Sequence, residues 1–303
     1  MTEVSQPSLS MLVCLAHPDD ETFGMGGTLA LYSRRGVQVH LVCATRGEVG
    51  EVDQDLLQGF NSVADRRESE LRCAAGILGL AGVYFLGYRD SGMPSTPDNQ
   101  RPDALAAQPV DEVAAKLVQY IRLLKPQVML TFDPIGGYRH PDHIAIQRAT
   151  VRAFELAAKP DFTSDLMPYQ VEKLYFHSMP KDLLRWTVRL APLFGMDPHH
   201  LGRNHDIDIA AVVAEGNFPA HARINCRSVR TIKDEAAACH LSQLGGAIGR
   251  KGPMTVLRRY LGRTETFMRA YPPPMKGLRE RDLFEGITYT NAPTPAKKLI
   301  DTI

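Results

Sequence analysis

The sequence predicts an α/β protein with a parallel sheet flanked by helices, and three observations support this fold class. Strand-like apolar runs alternate four times with helix-like segments, the order in which right-handed crossovers build a parallel sheet. The runs 11–16 and 128–133 are almost continuously apolar, which is typical of strands buried on both faces. Each of these two runs is followed by a cluster of histidine and aspartate residues, and α/β proteins bind ligands at the carboxyl ends of such strands.

The predicted elements follow one another regularly up to residue 160. Apolar residues at helical spacing indicate helices, and short apolar runs bounded by glycine or proline indicate strands. The elements are strand 11–16, helix 28–35, strand 37–45, helix 65–80, strand 83–86, helix 110–124, strand 128–133 and helix 142–158. The long segment 88–108 falls at the ligand-binding end of the sheet, where long loops are usually functional. This order is that of a Rossmann-like sheet.

The pattern of the C-terminal half is weaker. It predicts strands over 171–178 and 205–210, and helices over 230–244 and 254–270. We expect residues 160–303 to be an elaboration that closes one side of the cleft, added to a core of about residues 10–160. Residues 1–303 would then form a single α/β domain.

Composition excludes several classes of partner. The chain has 303 residues and a net charge of +1, which gives no reason to expect a nucleic-acid or membrane partner. Cys14, Cys43 and Cys73 lie in apolar segments, where reduced thiols pack as small hydrophobic groups. No apolar stretch approaches the roughly 20 residues of a membrane span, and the first residues lack the basic patch of a signal peptide. We therefore expect a cytoplasmic protein that acts on a small polar molecule. The sequence leaves open whether the protein forms a homo-oligomer.

A cluster of metal-ligand residue types follows the first strand, in the segment Ala16-His17-Pro18-Asp19-Asp20-Glu21. Pro18 favours an extended backbone at His17 and fixes the turn that follows. The imidazole of His17 and the carboxylate of Asp20, at positions i and i+3, can then face one ion. Both groups bind zinc at about 2.0–2.2 Å.

A second cluster, His140-Pro141-Asp142-His143, follows the strand 128–133. A catalytic zinc site needs three protein ligands and one open position, and this cluster supplies the missing part. His143 falls in the first turn of the predicted helix, where rigid structure can aim it. Two histidine clusters at matching strand ends favour a metal centre over proline turns that merely cap strands and helices. Asp142 either caps its helix or orients a ligand imidazole.

The two clusters resemble the motifs of the zinc-dependent N-deacetylases called the PIG-L or LmbE-like family. The resemblance rests on residues 16–21 and on Gly136-Gly137-Tyr138-Arg139-His140-Pro141-Asp142-His143. The segments Arg89-Asp90-Ser91-Gly92-Met93 and Asp133-Pro134-Ile135-Gly136-Gly137-Tyr138 make the chain most similar to the deacetylases and amidases of mycothiol and bacillithiol metabolism. The resemblance is close over about residues 10–155. It is thin afterwards, where the familiar marks are Lys233, His240-Leu241-Ser242-Gln243 and Glu265-Thr266-Phe267.

The resemblance implies roles for eight residues. The implied roles are metal ligation by His17, Asp20 and His143, general-base catalysis by Asp19, oxyanion stabilisation or protonation of the leaving amine by His140, and substrate binding by Arg67, Asp90 and Tyr138. Without the resemblance, the charged run 65–68 would indicate a solvated helix face. Tyr138 would suit a packing aromatic equally well.

These residue types suit amide hydrolysis. Zinc can lower the pKa of water to about 7 and polarise a carbonyl oxygen. Asp19, beside a ligand but free of the metal, could accept the proton of the attacking water, and such a base typically contributes about 10² to 10⁴ in rate. His140 could donate a hydrogen bond to the oxyanion. Two histidines and a carboxylate also suit Fe²⁺, so the sequence favours Zn²⁺ but leaves iron open.

We therefore expect a metal-dependent hydrolase that removes an acetyl group from an N-acetylglucosamine derivative, a small-molecule N-acetyl amino sugar conjugate. An amidase that cleaves thiol S-conjugate amides is the alternative with the same chemistry. A non-catalytic sugar-binding relative would need neither Asp19 nor His140. A dinucleotide-dependent oxidoreductase is disfavoured, because Gly24-Met25-Gly26-Gly27 departs from the Gly-x-Gly-x-x-Gly pattern and the acidic residues before it would repel a pyrophosphate.

Overall fold

A seven-stranded mixed sheet runs through the part of the chain that the structure, a computed structural model, describes. The described residues are 9–94, 96–178, 181–194, 197–200, 208–214, 218–244 and 263–287. The strands are β1 (Ser10–Leu15), β2 (Gln38–Cys43), β3 (Gly82–Phe85), β4 (Val128–Phe132), β5 (Lys173–Ser178), β6 (Ala222–Asn225) and β7 (Thr264–Tyr271). Their order is β3-β2-β1-β4-β5-β7-β6. Strands β1 to β5 are parallel, and β7 is antiparallel to both of its neighbours. The predicted parallel α/β sheet is confirmed and is extended at one edge.

Helices connect and flank the strands. They are α1 (Asp20–Arg34), α2 (Val63–Leu78), α3 (Val110–Leu124), α4 (Gly136–Arg139), α5 (Pro141–Ala157), α6 (Lys181–Leu190), α7 (Ile209–Ala214) and α8 (Arg230–Cys239). Short 3₁₀ helices span Gln54–Leu57, Pro97–Gln100, Leu105–Ala107, Ala191–Phe194 and Arg227–Val229. Among the described residues, no helix combines the length and the apolar character needed to cross a membrane.

Helix α2 shows how local sequence fixes the ends of an element. Its first turn is capped by the Ser62 hydroxyl, which accepts a hydrogen bond from the backbone N–H of Asp65 at 3.1 Å. It ends at Gly79, which adopts a left-handed conformation (φ 77°) that only glycine takes up without strain. Arg67 lies on the buried side of the helix, so it is not part of the solvated face that the charged run 65–68 alone would indicate.

Helix α1 begins at Asp20, well before residue 28, where the sequence predicted it. Its backbone leaves helical geometry at Met25 (φ −138°, ψ 19°), between Gly24 and Gly26. A Cβ atom on Gly27 would lie 2.6 Å from the Cβ of Cys226. The glycine therefore permits a close approach of the chain and does not form a turn.

The predicted strand over 205–210 is wrong at residues 209–210, which begin α7, while 205–207 lie outside the described residues. The predicted helix over 230–244 is confirmed only as far as Cys239.

The predicted helix over 254–270 is wrong from residue 264 onward, where the chain forms β7; residues 254–262 lie outside the described part. β7 makes backbone hydrogen bonds on both sides, to β5 and to β6. This tertiary pairing outweighs the local helical spacing on which the prediction rested.

The cysteine pattern also differs from the expectation in one respect. Cys14 and Cys43 are buried free thiols, as predicted. Cys73 is exposed on α2 and forms a disulfide with Cys239 at the end of α8. The prediction of a packed reduced thiol is wrong for Cys73, because its helix presents it to α8 and not to the core.

The core places the two histidine clusters side by side. All six residues of β1 are buried, and β1 pairs directly with β4, with Met11 opposite Val128 and Val13 opposite Leu130. Because the two strands are parallel neighbours, their carboxyl ends meet at one edge of the sheet. The segments that follow them therefore share that edge.

Candidate metal centre and active site

His17 lies just beyond the carboxyl end of β1, with 6% of its surface exposed. Its two ring nitrogens face different groups. Nδ1 lies 3.3 Å from Nε2 of His143, and Nε2 lies 3.1 Å from a carboxylate oxygen of Asp142. A carboxylate on one nitrogen of an imidazole fixes its tautomer and makes the other nitrogen available to a metal. Asp142 therefore orients His17, which decides between the two roles that the sequence left open.

His143 is oriented in the same way by a backbone group. Its Nδ1 lies 3.2 Å from the carbonyl oxygen of Gly136, which accepts a hydrogen bond from the ring N–H. This leaves Nε2 with a free lone pair. Gly136 can approach this closely because it lacks a side chain and adopts φ 67°, since a Cβ there would lie 2.8 Å from the Cβ of His143. Asp133 holds the turn by accepting hydrogen bonds from the backbone N–H groups of Ile135 and Gly137.

Asp20 completes a three-residue set with the two imidazoles. Its carboxylate oxygens lie 3.6 Å from Nδ1 of His17 and 3.3 Å from Nε2 of His143. A tetrahedral zinc site with bonds of about 2.0–2.2 Å has ligand atoms about 3.3–3.6 Å apart. The 3.3 Å between the two imidazole nitrogens fits this spacing, and one oxygen of Asp20 lies beside each nitrogen, at 3.6 Å from that of His17 and 3.3 Å from that of His143. The carboxylate thus lies within reach of an ion held between the two imidazoles. The pKa of Asp20 is well below its usual range, because the neighbouring imidazoles outweigh the effect of burial.

Two other groups of nearby residues could hold an ion on distance alone. They are His17 with His140 and His143, and His17 with Asp90 and Asp142. The second group uses Nε2 of His17, which Asp142 already engages. In the first group, Nδ1 of His140 accepts a hydrogen bond from the backbone N–H of Asp142 at 3.2 Å, so the neutral ring carries its proton on Nε2 and has no lone pair there for an ion. We therefore favour the set that contains Asp20.

Asp19 lies next to this set and is held apart from it. It adopts φ 113°, a left-handed conformation that is costly for a residue with a side chain. Nη2 of Arg67 donates to a carboxylate oxygen of Asp19 at 3.1 Å and to the carbonyl oxygen of Pro18 at 2.7 Å. Burial raises the pKa of Asp19 to about 6, and the Arg67 guanidinium limits this rise. Asp19 is thus a carboxylate fixed beside the candidate metal position.

His140 caps helix α5 and faces the same space. Its ring centroid lies 4.6 Å from that of His17 and 5.0 Å from that of His143. Burial, together with the two neighbouring imidazoles, holds the pKa of His140 well below its usual value. Because Nδ1 accepts the Asp142 N–H, the neutral ring carries its proton on Nε2. His140 is therefore arranged as a hydrogen-bond donor.

A cleft of about 450 Å³ opens on these residues. Six of the eight residues singled out from the sequence line it: His17, Asp19, Arg67, Asp90, Tyr138 and His140. Asp20 and His143 join the group through their contacts with His17. The structure thus brings all eight residues together, from four separate segments of the chain.

Arg67 and Asp90 form hydrogen bonds within the protein in addition to facing the cleft. Arg67 is 4% exposed, and its Nη1 donates to the carbonyl oxygen of Gly47 at 3.1 Å. One carboxylate oxygen of Asp90 accepts the backbone N–H of Gly92 at 2.9 Å and lies 3.5 Å from Nε2 of His17. Both side chains therefore shape the cleft wall as well as facing it.

Sequence reasoning missed several residues of the site. Ser91 donates to Asp142 through its backbone N–H and its hydroxyl, and so holds the carboxylate that orients His17. Ser242 and Gln243 line the cleft from the C-terminal half of the chain. Ser91 stands beside Asp90 in a segment that carries the family resemblance. Ser242 and Gln243 stand in the familiar segment His240-Leu241-Ser242-Gln243, although the sequence assigned them no role at the site.

Comparisons with known proteins agree with this geometry. The model of the family described as "PIG-L: GlcNAc-PI de-N-acetylase" matches residues 12–154. A 1D-myo-inositol 2-acetamido-2-deoxy-α-D-glucopyranoside deacetylase of Geodermatophilus obscurus is 36% identical over 297 residues, covering 93% of this chain and 99% of the relative. A protein of the same name in Streptomyces griseus is 37% identical over 303 residues, covering 93% of this chain and 90% of the relative.

A solved structure shows the same fold. The N,N'-diacetylchitobiose deacetylase of Pyrococcus horikoshii superposes with a TM-score of 0.59 at 23% identity, covering 92% of this chain and 86% of that one. The fold, the site and these relatives together place the protein in the class of metal-dependent amide hydrolases. More narrowly, the chain belongs to the PIG-L family of deacetylases.

Proposed function

We propose that this protein is a zinc-dependent deacetylase that removes the acetyl group from an N-acetylglucosamine unit joined to a polyol. The observation that carries the proposal is the convergence of His17, His143 and Asp20 beside an uncoordinated carboxylate, Asp19. The substrate class is supported by the relatives that cover nearly the whole chain, whose names specify an N-acetylglucosamine linked to inositol.

His17, His143 and Asp20 would hold the zinc ion. Two neutral imidazoles and one carboxylate form a donor set that zinc accepts, and three protein ligands leave one position for the reaction. When bound, zinc lowers the pKa of water and polarises the amide carbonyl. The second nitrogen of each imidazole is already engaged, by Asp142 or by Gly136, so both rings are held in the orientation that ligation requires.

Asp19 is suited to act as the general base. It does not take part in the three-residue set, and its carboxylate lines the cleft where an attacking water would enter. The hydrogen bond from Arg67 fixes its orientation. A base in this place accepts the proton of the water as the new carbon–oxygen bond forms, and can pass it to the departing nitrogen.

His140 is suited to stabilise the oxyanion. The hydrogen bond at its Nδ1 leaves the Nε2–H to donate into the cleft. A donor that is already in place when negative charge develops on the carbonyl oxygen lowers the barrier without further reorganisation. This arrangement favours oxyanion stabilisation over proton donation for His140.

The substrate proposal is tested by a panel assay on the purified full chain. We would measure release of free amine from N-acetylglucosaminyl-inositol, from other N-acetylglucosaminyl conjugates and from a thiol S-conjugate amide, each with zinc and with a chelator. The expected result is chelator-sensitive hydrolysis that is fastest with N-acetylglucosaminyl-inositol.

Two outcomes would contradict the proposal. Preference for the S-conjugate amide would make the protein an amidase of the same chemistry. Hydrolysis that persists at full rate after exhaustive chelation would remove the metal from the reaction. Elemental analysis of protein purified without oxygen separates zinc from iron, both of which suit the donor set.

A further inference from the structure

A buried side-chain pair lies behind Asp19, outside every role assigned so far. Glu21 and His240 are each 0% exposed, and Nε2 of His240 lies 2.7 Å from Oε1 of Glu21. His240 comes from the segment just after α8, far along the chain from Glu21. Burying a carboxylate is costly unless it is paired, and a hydrophobic pair would fill the same space at lower cost. The polar pair therefore calls for an explanation beyond packing.

Glu21 connects this pair to Asp19. Its second oxygen, Oε2, accepts the backbone N–H of Asp19 at 3.0 Å, and the hydroxyl of Thr22 donates to Oε1. Asp19 is the residue with φ 113°, so its backbone needs such support to keep that conformation. Arg67 holds the Asp19 side chain from the other side. Backbone and side chain of Asp19 are thus fixed by separate contacts.

The segment that carries His240 is itself anchored. Ser242 donates to Glu70 through its backbone N–H at 2.9 Å and its hydroxyl at 2.6 Å. Glu70 lies on α2, the helix that also carries Arg67. One helix therefore fixes both the side chain of Asp19 and the segment whose imidazole holds Glu21.

We propose that Glu21 and His240 are positioning residues that hold Asp19 in the orientation its reaction requires. The donor on His240 keeps the Glu21 carboxylate in place, and that carboxylate keeps the Asp19 N–H in the left-handed turn. Neither residue touches the cleft, so both act through Asp19. This inference rests on the proposed function, in which Asp19 is the general base.

The test compares His240→Phe, His240→Gln and Glu21→Gln with the wild-type chain. We expect His240→Phe and Glu21→Gln to lower kcat by about 10- to 100-fold, the cost of a slightly misplaced catalytic group. KM and zinc content should stay unchanged, because substrate contacts and ligands are intact. His240→Gln keeps an N–H donor for Glu21 and should restore most of the kcat.

A second readout needs neither substrate nor turnover. Hydrogen–deuterium exchange resolved to the Asp19 amide should be about tenfold faster or more in His240→Phe, where the acceptor carboxylate loses the group that holds it, and in Glu21→Gln, where the acceptor loses its charge. His221→Phe is the matched control. It is a half-buried histidine of the same half of the chain that accepts a backbone N–H from Arg269, and its loss should leave both the Asp19 exchange and the kcat unchanged.

Three results would overturn the inference. The first is a wild-type kcat in His240→Phe. The second is an Asp19 amide that exchanges freely in the wild-type chain. The third is a loss of kcat in His240→Gln as large as that in His240→Phe. If His240→Phe does not fold, Glu21→Gln carries the same measurements. If the Asp19 amide is protected from exchange but the wild-type chain hydrolyses nothing in the panel, only the proposed function fails. If the chain is active but its Asp19 amide is unprotected, only the inference fails.

Discussion

At the scale of single residues, each imidazole of the candidate metal set has one nitrogen engaged by the protein and one facing the ion position. Asp142 engages Nε2 of His17, and the Gly136 carbonyl engages Nδ1 of His143. The two rings thus present different nitrogens, because one approaches from a strand end and the other from a helix start. Sequence motifs show which histidines are present, but this choice of nitrogen depends on the backbone around them.

Asp19→Asn tests the general base. The amide keeps the size and the contact with Arg67 but cannot accept the proton of water. We expect kcat to fall by about 10² to 10⁴ with zinc content unchanged. Asp111→Asn, on the exposed face of α3, is the matched control and should retain wild-type turnover. Near-normal turnover in zinc-loaded Asp19→Asn would exclude this residue as the base.

His140→Ala tests the oxyanion donor. Removing a preorganised donor of this kind typically lowers kcat by about 10² to 10³. We expect that loss in steady-state assays of the zinc-loaded variant, with little change in KM. His199→Ala removes an exposed histidine and should have no effect. If His140→Ala kept its kcat, the oxyanion would have to be stabilised by another group.

At the scale of elements, α1 is held together across its break by a carboxylate from β7. Glu265 accepts the backbone N–H groups of Gly27 and Thr28 at 3.0 and 2.7 Å, just after the break at Met25. Nζ of Lys233 lies 2.7 Å from the same carboxylate. Glu265 therefore acts as a cap for the second part of α1.

Glu265→Gln should lower the free energy of unfolding by about 1–3 kcal/mol, because the amide has no charge and only one oxygen left to accept from Lys233, Gly27 and Thr28. Burial raises the pKa of Glu265, but Lys233 and the Thr28 N–H outweigh it, so the net shift is downward. The stabilisation is therefore present above the unfolded pKa and is lost as pH falls through the folded pKa. Urea denaturation at neutral and acidic pH measures both effects. Glu235→Gln, on the exposed face of α8, is the control, and equal losses in both variants would contradict the capping role.

The disulfide between α2 and α8 gives a second test at this scale. It closes a loop of 166 residues, and such cross-links typically stabilise by about 2–5 kcal/mol. Cys73→Ser should lower the free energy of unfolding by that amount under non-reducing conditions and should have little effect in the presence of dithiothreitol. Thiol titration of the unfolded, unreduced protein should find three free thiols. Five free thiols would show that the bond is absent.

The sequence predicted the elements up to residue 160 well and the later ones poorly, for a physical reason. Strands such as β1 are recognisable because burial on both faces makes them continuously apolar. β7 takes its conformation from two neighbouring strands that its own sequence does not reveal. The predicted helix over 28–35 left out the glycines before it, although they lie inside α1, where Gly27 allows close packing against Cys226.

At the scale of the whole molecule, the sheet topology creates the site. His17 and His143 are 126 residues apart in the chain, yet their facing nitrogens lie 3.3 Å apart. Local spacing predicted each cluster, and the rule that parallel strands present their carboxyl ends at one edge predicted that they meet. The segment 240–243 resembles the family, but its place in the molecule was not predictable, because tertiary packing and not local spacing brings Ser242 and Gln243 to the cleft and His240 to Glu21 behind it.

Zinc titration calorimetry of five chains tests most directly which residues bind the metal. Wild type and His140→Ala should each bind one ion per chain with similar affinity. His17→Ala, Asp20→Ala and His143→Ala should each lose more than the roughly 10- to 100-fold that removal of an outer partner costs. If Asp20→Ala bound zinc as tightly as the wild type while His140→Ala did not, the metal set would be the three histidines, and the roles given to Asp20 and His140 would be wrong.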